Sequence, residues 1–286
     1  MRKKWPAMLL GLVAAAYLLA PPVWMLISSV SLEQELLNRP PHWIPREPTL
    51  VNYLTLLHIG SGRQVEIMTG VRHFTGGLRN SVLLSVGVVA VSLAIGSFTA
   101  YSVARFLPEA QRRRVLLTLL GIRMIPLITV LLPLYVMTKA VGLLDSLTGL
   151  GIVHIGLALP YVIWMLEAFF QSLPRDLEDA AMVDGCSRVT AFTRIVLPLM
   201  GPGLFATGAF IFITVWGDFL VAVVLTTSPQ NYPLTVVSSM FAGMFQDTAW
   251  GLLSAAGVYA VAVPLALAFI FQRYVIGGLT AGALKG

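Results

Sequence analysis

The sequence predicts an all-α membrane protein with six transmembrane helices and both termini on the cytoplasmic side. Three observations carry that prediction. Of the 286 residues, 57% are hydrophobic and only 11% charged, and the mean hydropathy is +0.83. A soluble domain carries about 25% charged residues, so this chain lacks the polar groups to cover a water-facing surface and lipid is its main solvent. Apolar runs of spanning length recur six times. Finally, Lys and Arg gather on alternate connections, the asymmetry that membrane insertion imposes. The net charge of +6 follows the edges of the apolar runs and is not a nucleic-acid footprint.

The elements follow in order. Arg2, Lys3 and Lys4 precede an apolar run from about Ala7 to Val30. The run is too long for a signal-peptide core, and Pro21-Pro22 stands where a small-residue cleavage site belongs, so a retained first span is expected. Residues 31–79 read as one polar, extracytoplasmic loop with Pro40, Pro41, Pro45 and Pro48. Its His42, His58 and His73 lack metal-ligand spacing. Asn80–Ala104 is the second span, closed by Arg105 and the basic trio Arg112, Arg113 and Arg114. Val115–Thr138 is the third; Arg123 within it is expected to snorkel toward the basic side. Gly149–Phe170, Leu199–Thr226 and Gly251–Phe271 are the remaining spans, and Arg273 opens a Gly-rich tail.

Six spans place both termini, the 105–114 loop, the polar stretch 173–203 and Arg273 with Lys285 on one side, which the positive-inside rule makes cytoplasmic. The first outer loop dissents, with Arg39, Arg46, Arg63, Arg72 and Arg79; parity and the other segments outweigh it. No internal repeat is visible, which weighs against a carrier built from inverted halves. The lysines are Lys3, Lys4, Lys139 and Lys285. None sits in a Walker A spacing, so any ATP is bound by another chain. The single cysteine, Cys186, excludes an internal disulfide.

The polar stretch is the informative one. Pro174 suits a first helical turn, and Asp176, Glu178 and Asp179 suit the positive end of the helix dipole. Ala180 and Ala181 propagate the helix and leave a flat surface. Gly185 can take the left-handed conformation that ends it, and Ser187 can cap a second helix. Val189, Phe192, Val196 and Leu199 then recur at helical spacing. Taken on its residues alone, this helix–turn–helix is either a docking knob or a solvated connector.

A resemblance bears on that choice. D-A-A-M-V-D-G at 179–185, with Pro198 thirteen residues after Gly185, resembles the EAA loop of binding-protein-dependent ABC importer permeases, in particular the sugar-permease group typified by the smaller membrane subunit of the maltose importer. PTLVNY at 48–53, RNSVLLS at 79–85, AYSVARF at 100–106, IPLITVLLPLY at 125–135, WGDFLVAVVL at 216–225 and the terminal GLTAGALKG are similar to successive segments of that group, in the same order. There are departures: Asp179 replaces the eponymous Glu, Cys186 a usual Ala, and Gly217-Asp218 the usual Asn-Glu.

The resemblance implies a single permease domain over 1–286, with a cytoplasmic coupling loop at 173–198 between the fourth and fifth helices. Asp179, Ala180, Ala181, Asp184 and Gly185 would contact the ATPase, with the tail Gly282, Ala283, Leu284, Lys285 and Gly286 a further contact. It implies two cytoplasmic ATPase subunits carrying ATP and Mg, a second homologous permease and an extracytoplasmic solute-binding protein. The setting would be a prokaryotic inner membrane, the cargo a sugar or oligosaccharide, and this chain itself would need no cofactor and catalyse nothing. Polar or aromatic residues in or beside the spans, Asn80, Tyr135, His154, Trp216 and Asp218, are candidates for the translocation path, each with a packing or interface role as the alternative. Two other functions compete. A sugar phosphate such as glycerol 3-phosphate would need a basic group in the cavity, for which Arg123 is the candidate. An ion-coupled secondary carrier would use Asp218. A membrane enzyme finds no nucleophile elbow, metal cluster or intramembrane carboxylate pair.

Overall fold

The computed structural model describes residues 5–38, 43–59, 69–242 and 248–283. Among these no strand occurs. The helices are α1 Trp5–Ser29, α2 Glu33–Leu36, α3 Val51–Leu56, α4 Thr69–Phe106, α5 Glu109–Arg123, α6 Leu127–Ala140, α7 Leu147–Ser172, α8 Asp176–Val183 and α9 Arg188–Ala191. A π-turn over Phe192–Val196 leads to α10 Leu197–Leu199 and α11 Gly201–Trp216. Then come α12 Leu220–Leu225, a 3-10 turn at Pro229–Asn231, α13 Leu234–Ser239 and α14 Trp250–Ala283.

Four described helices are long and apolar enough to cross a membrane: Met8–Ser29, Gly70–Phe106, Leu147–Ser172 and Trp250–Ile270. Two bent pairs bring the count to as many as six if each pair is one span. Glu109–Arg123 and Leu127–Ala140 meet at 89°, and Arg188–Leu199 and Gly201–Trp216 meet at 73°. The third span is therefore not the single rod over 115–138 that its hydropathy predicts. Pro126 disfavours a helical Ile125 and lacks the N–H that would continue the ladder, so the chain breaks there. The fifth span breaks twice: at Met200 ahead of Gly201-Pro202, and again at Gly217. The second span is longer than predicted. α4 begins at Thr69, so residues 69–79 are helix rather than loop, and its 38 residues far exceed the roughly 20 a span needs.

The chain divides into two compact units, Met1–Leu78 with Tyr232–Val263, and Arg79–Asn231 with Pro264–Gly286. In the first unit, residues 33–53 tie down the helices. Glu33 accepts the backbone N–H groups of Trp250 (3.0 Å) and Gly251 (2.9 Å), putting a carboxylate on the positive end of α14. Asn52 Nδ2 donates to the carbonyls of Ser29 and Ser31, and Tyr53 shares a 2.6 Å hydrogen bond with Ser29. Tyr259 of α14 packs its ring against both Tyr53 and Phe74.

The second unit is built around α7, which packs against α5, α11 and α12. Ser146 caps α7 by accepting the N–H of Gly149. α4 approaches α7 so closely at Gly96 that an added Cβ would lie 2.3 Å from Val162 Cγ1. The turn before α7 is latched to the end of α12. Asp145, at φ +57, accepts the N–H groups of Thr227 and Ser228 at 2.9 Å and the Ser228 hydroxyl. Its own N–H donates to Leu225 O. Partial burial works against ionisation of Asp145, but these hydrogen bonds outweigh it and hold the carboxyl down at about 2.

Candidate functional site

Two places in the second unit concentrate chemistry, the 173–199 stretch and a cavity beside α7. The stretch folds as its residues require. Asp176, Glu178 and Asp179 occupy the first turn of α8. The helix stops in a double hydrogen bond, Gly185 N to Met182 O and Cys186 N to Ala181 O, with Gly185 at φ +88. Ser187 Oγ then accepts the N–H of Thr190 and starts α9.

Asp179, Ala180, Asp184 and Gly185 are exposed, and so are the apolar side chains of Leu177, Val183 and Val189. Ala181 is not available at the surface; it is buried beneath the knob and serves its packing. Glu178, one residue before the matched motif, faces inward. Its Oε1 lies 2.7 Å from Arg105 Nε, and its Oε2 accepts the Tyr101 hydroxyl at 2.7 Å. Arg105 Nη2 also donates to Leu173 O, and Gln171 Nε2 to Ala104 O. The knob is thus clamped to the end of α4.

The cavity, of about 70 Å³, is lined by Arg123, His154, Tyr161, Thr214 and Asp218 among apolar neighbours. The chain break at Ile125-Pro126 delivers Arg123 to it at the last turn of α5, with the guanidinium carbon 4.2 Å from the centre of the Tyr161 ring. Arg123 shares the unbroken helix α5 with Arg112, Arg113 and Arg114, and its guanidinium lies over the Tyr161 ring of α7. Its Nε is buried and has no hydrogen-bond partner among the described residues. His154 Nδ1–H donates to Leu150 O at 2.9 Å, and its Nε2 faces Asp218 Oδ2 at 3.4 Å without the alignment of a hydrogen bond. Asp218 sits where α11 ends, and its carboxylate also accepts the Ala222 N–H that opens α12. Such irregular backbone at membrane depth is tolerated where it lines a cavity.

The structure thus brings together only His154 and Asp218 of the predicted path residues. Asn80 is buried and donates to Gln230 O at 2.8 Å, a tie between α4 and the turn after α12. Trp216 is buried in a stack on Phe212. Tyr135 is half-buried on α6, outside the cavity lining. Of the tail, Gly282 and Ala283 continue the α14 backbone, and Leu284, Lys285 and Gly286 lie outside the described residues. Sequence reasoning read Glu178 only as a first-turn acid, missing its contacts to Arg105 and Tyr101, and missed Tyr161. The spacing of His154, Ala158 and Tyr161 at i, i+4 and i+7 was the available signal that Tyr161 shares a face with His154.

Residues 92–280 match the family described as binding-protein-dependent transport system inner membrane component. Full-length relatives include the sulfoquinovosyl glycerol transport system permease protein SmoH of Agrobacterium fabrum, 36% identical over 97% of this chain and 94% of that protein. The trehalose/maltose transport system permease protein MalG of Thermococcus litoralis is 31% identical over 96% and 95%. The trehalose transport system permease protein SugB of Mycobacterium tuberculosis is 32% identical over 97% and 96%. Among solved structures, a bacterial ABC transporter importing the acidic polysaccharide alginate superposes with a TM-score of 0.76 at 20% identity, covering 94% of this chain and 95% of that one. A second alginate transporter structure, in complex with an alginate pentasaccharide-bound periplasmic protein, gives 0.64 at 16% identity over 93% and 92%. The structural likenesses establish the fold.

Proposed function

This chain belongs to the binding-protein-dependent transport system inner membrane components, the permease subunits of ABC importers. On that premise we propose that it forms part of the translocation path for a sugar or glycoside, and that the 173–198 loop couples the path to a separate cytoplasmic ATPase. The observation that carries the coupling role is an exposed helix–Gly turn–helix held rigidly from behind by Glu178 and Arg105. A lever transmits force only if it is stiff, and two charge-assisted contacts into α4 supply that stiffness.

The cargo assignment is supported by relatives named for trehalose, maltose and sulfoquinovosyl glycerol. The partners in this reading are two ATPase subunits, a second homologous permease and a solute-binding protein. Both termini and the knob face the cytoplasm of a prokaryotic cell whose inner membrane holds the complex. ATP binding closes the ATPase pair, the docked knobs follow, and the attached helices exchange an inward-open for an outward-open cavity. This is a population shift set by the differential affinity of the two states for ATP.

The test replaces the knob's exposed turn. Asp184→Arg with Gly185→Val should abolish ATP-dependent uptake and weaken copurification of the ATPase while leaving the permease in the membrane. Undiminished uptake and copurification would remove the coupling role. An ion-coupled carrier would instead move substrate in proteoliposomes with this chain alone and no ATP; the reading here requires that experiment to give none.

A further inference from the structure

The importer reading leaves the cavity beside α7 with an unexplained cation, and the structure shows how its charges are distributed. Asp218 has a basic partner, His154, at 3.4 Å. His154 Nδ1 is itself committed to Leu150 O, which fixes the ring against α7. Arg123 has no carboxylate within ion-pair distance among the described residues, and its Nε is buried without an acceptor. An arginine at membrane depth is costly and persists where something recognises it.

The Tyr161 ring lies under the guanidinium, 4.2 Å from the central carbon, a cation–π contact that holds the group in place. A ring contact of this kind does not use up the guanidinium N–H donors, which suit a planar or tetrahedral oxyanion. The Thr214 side chain lines the same space, although its hydroxyl already donates to Phe210 O. At about 70 Å³ the cavity has room for a small polar group such as one acidic substituent.

We propose that this cavity is a subsite for an acidic substituent of the transported sugar, a carboxylate, sulfonate or phosphate, gripped by Arg123 over Tyr161. The proposal rests on the importer reading and narrows its substrate class from sugars in general to anionic ones. Arg123 is the specificity residue, and Tyr161 orients it.

The test is equilibrium binding of labelled glucuronate to the complete complex of both permeases and ATPase, without binding protein. The complex is held in phosphatidylcholine nanodiscs so that no anionic lipid competes. Glucuronate should bind about tenfold tighter than its methyl ester, which removes the charge at nearly constant size. Arg123→Gln should abolish that preference, and Arg123→Lys should retain part of it. If the Gln variant does not assemble, the acid-against-ester comparison on the unaltered complex decides alone. Equal affinity for acid and ester, no binding of either, or a Gln variant that keeps the preference overturns the subsite. Failure of the importer reading shows separately, as a complex that does not assemble or takes up no substrate with ATP.

Discussion

Asp145 illustrates how one side chain organises a connection in this protein. It accepts from two backbone N–H groups and one hydroxyl of the segment after α12, while its backbone occupies the left-handed region. Replacing it with Ala leaves those donors unsatisfied and adds a side chain poorly suited to positive φ, so a loss of about 1–3 kcal/mol is expected. Asn tolerates the backbone and keeps one acceptor, and should cost less. The sign of the pH effect follows from a carboxyl lowered from 3.8 to about 2. Its stabilisation is complete above the unfolded value near 3.8 and is lost as pH falls through about 2. Thermal unfolding of detergent-solubilised protein between pH 5 and 2 should therefore fall less steeply for Asp145→Asn than for the unaltered chain. Identical slopes would show that the latch carries no charge-dependent stability. The sequence could not show this latch, because Asp145 and its partners Thr227 and Ser228 are 82 and 83 residues apart. The contact of Arg123 with Tyr161 was hidden for the same reason, since 38 residues separate the two in the chain. Asp218 was legible as a lone acid within an apolar segment; its partner was also named, but nothing in the sequence joined them.

At the scale of elements, α8 is held by a buried pair that cannot be half removed without cost. Glu178→Ala strands Arg105, whose side chain is 5% exposed, and should destabilise by about 3–5 kcal/mol. Arg105→Ala should do the same from the other side. The double variant should lose clearly less than the sum, which a double-mutant cycle by denaturant unfolding will read. Strict additivity would mean that the two side chains act independently. Helix-to-helix spacing gives a second expectation. Gly96→Ala drives a methyl into Val162 and should cost about 1–3 kcal/mol, with part recovered by adding Val162→Ala. The helices themselves were readable because hydropathy and length report burial in lipid directly. Their breaks were less so. The run from Val115 to Thr138 stays apolar through Pro126, and hydropathy carries no information about direction. The early start of α4 was hidden by Gly70, His73, Gly76 and Gly77, residues that look like loop. A Cβ added at Gly70 or Gly77 would lie 2.8 Å from Phe241 or Val237, so a neighbour would have to shift to admit a side chain. The knob was the most legible element, since Gly185, Ser187 and the first-turn acids each have a local backbone reason to be where they are.

For the whole molecule, the decisive property is which side of the membrane the knob faces, since every coupling argument depends on it. The chain contains one cysteine, Cys186, and it lies in the turn of the knob, partly exposed between Gly185 and Ser187. It is therefore a native reporter of sidedness that needs no engineered thiol. A membrane-impermeant maleimide added to sealed right-side-out vesicles should leave it unmodified, and the same reagent on inside-out vesicles should label it. Placing the label against a solvent-exposed neighbour, with Ser187→Cys in a Cys186→Ala background, checks that partial burial does not mask the result. If the loop is also the seat of the ATPase, the purified ATPase should protect Cys186 in inside-out vesicles, and Asp184→Arg with Gly185→Val should remove that protection. Labelling from the outer face would invert the topology. It would then make the five arginines of the 31–79 segment, and not the basic trio after α4, the cytoplasmic anchor, and no ATPase could reach the knob. Labelling from inside without protection would keep the topology and confine the coupling surface to another part of the chain.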